Sequence, residues 1–172
     1  LVLTMGSDAV GAGRKIVVEI KNEKNKRYEA AVEELIIAKR NRKADIGVFV
    51  FSKQTAPDGM SNLIRNGKDI FVIWDNESNE NDGYLEAALS LAKALISQDQ
   101  SHENNNYDAA NTLETAVQSL EQAVDNLDKI SDSNRTIENQ VTKINTFVGK
   151  AKKQVSLQTS ALNGLIVSFK NM

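Results

Sequence analysis

The chain reads as an α/β protein, a small mixed sheet with flanking helices, followed by a long α-helical coiled-coil arm. Three observations predict this. Apolar, β-branched runs at residues 15–20, 46–51 and 70–74 are separated by a segment of helical period. From residue 113 onward the apolar positions recur at 4-3 spacing with no strand signal. Aromatics make up 5% of the 172 residues and there is one proline, which suits an aliphatic, helix-rich core.

Taken in order, residues 1–4 form a short strand, and Gly6, Gly11 and Gly13 punctuate a turn before Ile16, Val17, Val18 and Ile20, a run apolar enough for a buried strand. Over residues 25–42, Tyr28, Ala31, Val32, Leu35, Ile36 and Ala38 fall at helical spacing, with Glu29, Glu33, Glu34 and Lys39 on the other face. Residues 46–51 and 70–74 are the next strands. Pro57, Gly59 and Gly67 make the stretch between them mostly loop, with one helical turn near residues 62–65. Strands this apolar imply a parallel or mixed sheet covered on both faces. Residues 83–97 supply a covering helix through Leu85, Ala88, Leu89, Ala92, Leu95 and Ile96. The domain is thus expected over 1–97, truncated at its N-terminus because Leu1 opens inside a strand, with a polar linker at 98–106 and the arm at 107–172. In the arm, Leu113, Val117, Leu120, Val124 and Leu127 are followed by Ile137, Val141, Ile144, Val148, Ala151, Val155, Leu162, Leu165 and Phe169. The phase slips through Ser131, Asp132, Ser133 and Asn134, which leaves two solutions, a continuous helix paired with a second chain or a hairpin; the preferred expectation is the continuous helix in a homodimer.

Composition removes whole classes of chemistry. Without cysteine there are no disulfides, zinc ribbons or thiol nucleophiles, and His102, the single histidine, lies in a polar stretch unsuited to a triad. No apolar run is long enough to cross a bilayer and no signal peptide is present, so the expected location is the cytoplasm. The net charge of −2 conceals ten basic and six acidic residues over 1–43, against four and eight over 44–98. Lys24, Lys26, Arg27, Lys39, Arg40, Arg42 and Lys43 concentrate the excess, a patch able to attract nucleic acid by counterion release or merely to solvate a helix.

The stretch from Asp8 to Lys21 carries the chemistry. On a strand, residues two apart share a side, so Glu19 and Lys21 project together from an otherwise apolar segment, and the glycine turn is expected to return Asp8 beside Glu19. Two converging carboxylates repel unless a cation compensates. Mg²⁺ or Mn²⁺, held by Asp8, Glu19 and the carbonyl of Ile20, would do so, with Lys21 orienting a metal-bound water. An Asp before a hairpin followed by Glu19-Ile20-Lys21, a helix and a further strand resembles the PD-(D/E)xK nuclease superfamily, the restriction-endonuclease-like proteins. Residues 43–50 are similar to one uncharacterised bacterial branch that, like the recombination-associated RmuC proteins, joins such a domain to coiled coils. The resemblance covers residues 1–97 and implies hydrolysis of DNA phosphodiesters, with Asp8, Glu19 and Lys21 as the catalytic set. The competing expectation is a non-catalytic nucleic-acid-binding or scaffold protein on a decayed nuclease fold. Asp45 and Asp75 read as turn or capping residues, and Gly11 and Gly13 as a hairpin turn rather than a phosphate loop.

Overall fold

A computed structural model describes residues 1–22, 27–75, 82–104 and 106–170, with residues 169 and 170 in backbone only. Strands β1 (Val2–Thr4) and β2 (Lys15–Lys21), helix α1 (Tyr28–Arg42), strands β3 (Ile46–Ser52), β4 (Leu63–Asn66) and β5 (Asp69–Trp74), and helices α2 (Asp82–Glu103) and α3 (Tyr107–Lys170) follow in chain order. The five strands make one mixed sheet in the order β1-β2-β3-β5-β4. The inner pairs β2/β3 and β3/β5 are parallel, and the edge pairs β1/β2 and β4/β5 are antiparallel.

The parallel centre explains why β2, β3 and β5 read as continuous apolar runs: both of their faces are covered. Val17, Phe49, Phe51 and Phe71 face α1, where they meet Ala31, Leu35 and Ala38. The Tyr28 and Phe71 rings lie 4.8 Å apart, and those of Phe49 and Phe51 4.7 Å. Ile16, Val18, Val48, Val50, Ile70 and Val72 face the other way, onto Tyr84, Ala88, Leu91, Ala92, Leu95 and Ile96 of α2, with Val117 and Val124 of α3 in the same cluster. Gly47 sits on the α1 face because it pairs with Val17, and a Cβ there would come within 2.5 to 2.8 Å of the Leu35 side chain, so the helix lies on bare backbone at that point.

Two elements differ from the sequence reading. Residues 63–66 form β4 rather than a helical turn, because Asn66 pairs with Asp69 across a two-residue turn in which Gly67 adopts a φ of 63°, the first central position of a II′-type hairpin. Most of the expected linker is helix: α2 runs on to Glu103, and α3 begins at Tyr107. The chain divides into the compact units Leu1–Asp128 and Lys129–Met172, so the first turns of α3 belong with the sheet and not with the arm. α3 itself is one continuous helix of 64 residues, through the phase slip, where the Ser133 and Thr136 hydroxyls bond to the carbonyls of Lys129 and Asp132. Among the described residues no helix is long and apolar enough to cross a membrane.

Gly47→Ala is expected to force Leu35 off its rotamer and to destabilise the unit by about 1–3 kcal/mol, read as a lower urea midpoint at unchanged slope.

Candidate functional site

Glu19 and Lys21 share a face of the apolar strand β2 with Val17, which packs on α1, and each finds its counter-charge on α1. Arg42 Nη1 donates to Glu19 Oε1 at 2.6 Å, and Lys21 Nζ lies 2.7 Å from Glu34 Oε1. The Glu19 side chain is 15% exposed, so it needs the partner it has. Helix α1 connects the parallel strands β2 and β3 and so runs back along β2, which brings Glu34 level with the end of the strand and Arg42 within reach of Glu19. The Glu-x-Lys pair is therefore neutralised from within the fold.

Asp8 is not brought to this pair. It lies in the loop that closes the β1/β2 hairpin, exposed, its Oδ1 accepting from Ser7 Oγ at 2.9 Å. That loop is tied shut by Met5 N donating to Arg14 O, and it leads into Lys15, the first residue of β2. Val10 O in the same loop accepts from Ser97 Oγ near the end of α2. Glu19 is four residues further along the strand, about 13 Å from Lys15 at the usual rise, while the hairpin register sets Leu1 across from Val18 and no residue of β1 across from Glu19. Asp8 thus lies in the loop before Lys15, whereas Glu19 lies in the second half of β2 beside Arg42. Ile20 O remains beside Glu19 on the strand. Among the described residues no group of three His, Asp or Glu side chains could hold a metal ion.

The basic patch is divided. Lys24 and Lys26 lie outside the described residues. Lys39 Nζ grips both oxygens of Asp69, at 2.7 and 2.6 Å, and Arg42 is occupied by Glu19. Arg27, Arg40 and Lys43 are exposed, Lys43 in a left-handed conformation that ends α1. Asp45 takes the turn role the sequence suggested: its Oδ2 accepts from Lys15 N at 2.8 Å, and Arg14 bridges it to Glu103.

Two constellations have no counterpart in the sequence reading. Asp69 also accepts from Gly47 N at 2.8 Å, so one carboxylate joins α1, β3 and β5. Its signal was faint, an acid just after the Asn-Gly turn. At the carboxyl ends of the parallel strands, where open α/β sheets gather ligands, Ser52 Oγ donates to Asn22 Oδ1 at 2.8 Å and lies 2.8 Å from Thr55 Oγ1, while Lys53 stands 3.6 Å from Asp75. Ser52 and Thr55 share a local turn in which Thr55 N donates to Ser52 O, while the sheet order brings Asn22 and Asp75 to them. On the β4 side of the molecule Arg65 pairs with Glu121 beside a cleft of about 420 Å³ that includes Asp125, and Asn62 Nδ2 donates to Asp128 Oδ1 at 2.8 Å. Hydrogen bonds from Gln98 and Gln118 hold the Glu114 carboxyl below its ordinary range.

Compared with family models, curated proteins and solved structures, the chain finds no match.

Asp69→Ala removes the acceptor of a charged donor and of a strand N–H together, and is expected to cost about 2–3 kcal/mol in chemical denaturation. Lys39→Ala in the Asp69→Ala background should then cost less than Lys39→Ala alone, because the pair is coupled.

Proposed function

We propose that the chain is a non-catalytic scaffold module: an α/β unit carried on a helix that pairs with a second copy of itself. The observation that carries this reading is the exposed stripe of α3. Val141, Ile144, Val148, Val155, Leu162 and Leu165 continue the 4-3 repeat, yet they stand 45 to 62% exposed. Two further apolar side chains, Phe147 and Ile166, widen the stripe. A repeat of 3.5 residues is matched by another helix with the same period, and a second copy provides one in register. Burying each of these side chains contributes about 1 kcal/mol or more, while Ala151 and Gln158 at core positions keep the pairing modest. Replacing Ile144 and Val148 together by Asp is expected to convert the parent dimer to monomer in sedimentation equilibrium, with Trp74 emission unchanged because that residue belongs to the unit Leu1–Asp128. A parent chain that sediments as a monomer at tens of micromolar would overturn the reading.

A second reading is a restriction-endonuclease-like nuclease hydrolysing DNA with Mg²⁺ or Mn²⁺. Its support is the order β1-β2-α1-β3 with Glu19 and Lys21 on one face of β2, the arrangement the resemblance implies. In this reading Glu19 and the Ile20 carbonyl hold the ion and Lys21 positions the water, but Asp8 contributes nothing and a second acid has to approach Glu19 from elsewhere. Ion binding at Glu19 would have to displace Arg42. The test is thermal: under this reading Mn²⁺ raises the melting temperature by several degrees, about 5 °C, in the parent and not in Glu19→Gln. An equal response in both, or none, contradicts it. Cleavage of labelled DNA that Lys21→Ala abolishes would favour the nuclease over the scaffold.

A further inference from the structure

Charge is segregated along α3. Residues 107–128 carry Asp108, Glu114, Glu121, Asp125 and Asp128 and no Lys or Arg, whereas residues 139–172 carry five lysines and no acid. The helix dipole does not account for this. It favours cations only in the last turn, and Lys143, Lys150, Lys152 and Lys153 lie well before the end of α3 at Lys170. Nor do helical ion pairs, since no acid is available three or four residues away from Lys150, Lys152 or Lys153. In the unit Leu1–Asp128, Arg14, Lys39, Arg42, Arg65 and Lys68 face an acid, while Arg27, Arg40 and Lys43 are exposed. Among the described residues none of the four arm lysines makes an ion pair, and all four are exposed.

At about 100° per residue, Lys143, Lys150 and Lys153 fall within about 80° of one another, and their mean direction is about 160° from the stripe of Val141, Ile144, Val148 and Val155. A partner helix on the stripe therefore leaves this face outward. Asn139, Thr146, Gln154 and the exposed Leu157 share it, with Phe147 at its edge; three lysines with no acid near them make charge its dominant feature, which suits a polyanion. With the stripe paired to a second helix, no apolar face is left to enter lipid, as an interfacial helix with lysines on its polar face requires.

We propose that this lysine face of α3 docks the phosphate backbone of a nucleic acid, without base readout. It rests on the scaffold reading only in that a paired stripe turns the face outward. The full chain is titrated into a fluorescently labelled duplex of arbitrary sequence at several salt concentrations, and its sedimentation is measured on the same samples. The parent is expected to bind with a negative slope of log K against log salt. The triple substitution Lys143→Gln, Lys150→Gln and Lys153→Gln should shrink that slope by about 3 and leave the oligomeric state unaltered. Arg40→Gln with Lys43→Gln should retain the arm-dependent part of the slope. The proposal is overturned by a duplex that does not bind at low salt, by an unchanged slope in the triple variant, or by binding to anionic vesicles in place of the duplex. A monomeric parent that still binds through these lysines would remove the scaffold reading and keep this one.

Discussion

A helix in water cannot keep a row of branched aliphatic side chains exposed without a compensating interaction, and α3 meets that constraint in two ways along its length. Over its first turns the apolar positions Ala110, Val117 and Val124 are buried, with Val117 and Val124 in the cluster beneath the sheet. From Lys129 onward the same helix and the same 4-3 repeat continue, and every described side chain is exposed. The hydrophobic driving force is proportional to apolar area removed from water, so the second stretch holds the largest unspent share of it in the chain. The proposed function follows from that difference.

The charges of β2 show a second constraint at work. An apolar strand with Glu19 and Lys21 on one face needs positive and negative partners there, and a metal ion with a second carboxylate is one solution. Here α1 supplies the other, Arg42 for the acid and Glu34 for the base. The arrangement holds α1 to β2 at the same time as Asp69 holds it to β3 and β5 through Lys39 and Gly47 N. The charged residues that looked like chemistry in the sequence are thereby part of how a helix is fixed over a parallel sheet.

Much of the fold was legible because its signals are local. Continuous β-branched runs marked β2, β3 and β5, and the helical period marked α1 and α2, since covered parallel strands and amphipathic helices impose those patterns directly. β4 is hard to read from sequence: Leu63-Ile64 followed by Asn66-Gly67 is a hairpin signal, but Pro57 and Gly59 upstream give the stretch the composition of a loop. Residues 98–103 continue α2, although Gln98, Asp99, Gln100 and His102 are polar; polarity in the last turns of a helix resembles a break. For the site, parity along β2 was readable and gave Glu19 and Lys21 a common side, whereas hairpin register was not. Only the pairing of Val2 with Val17 places Asp8 in the loop before Lys15. Whether a lysine has an acid opposite is likewise a property of the folded sheet, so the satisfied Lys39 and the unsatisfied Lys150 look alike in sequence.

The central claim is that residues 129–170 remain helical by pairing with another copy. Helical ellipticity at 222 nm, followed by thermal melting over a hundredfold range of concentration, tests it most directly. Pairing predicts a transition for the arm that moves to higher temperature as the protein is concentrated, separate from a concentration-independent transition of the unit Leu1–Asp128. A single melting curve that does not move with concentration, at full helical signal, would contradict the account.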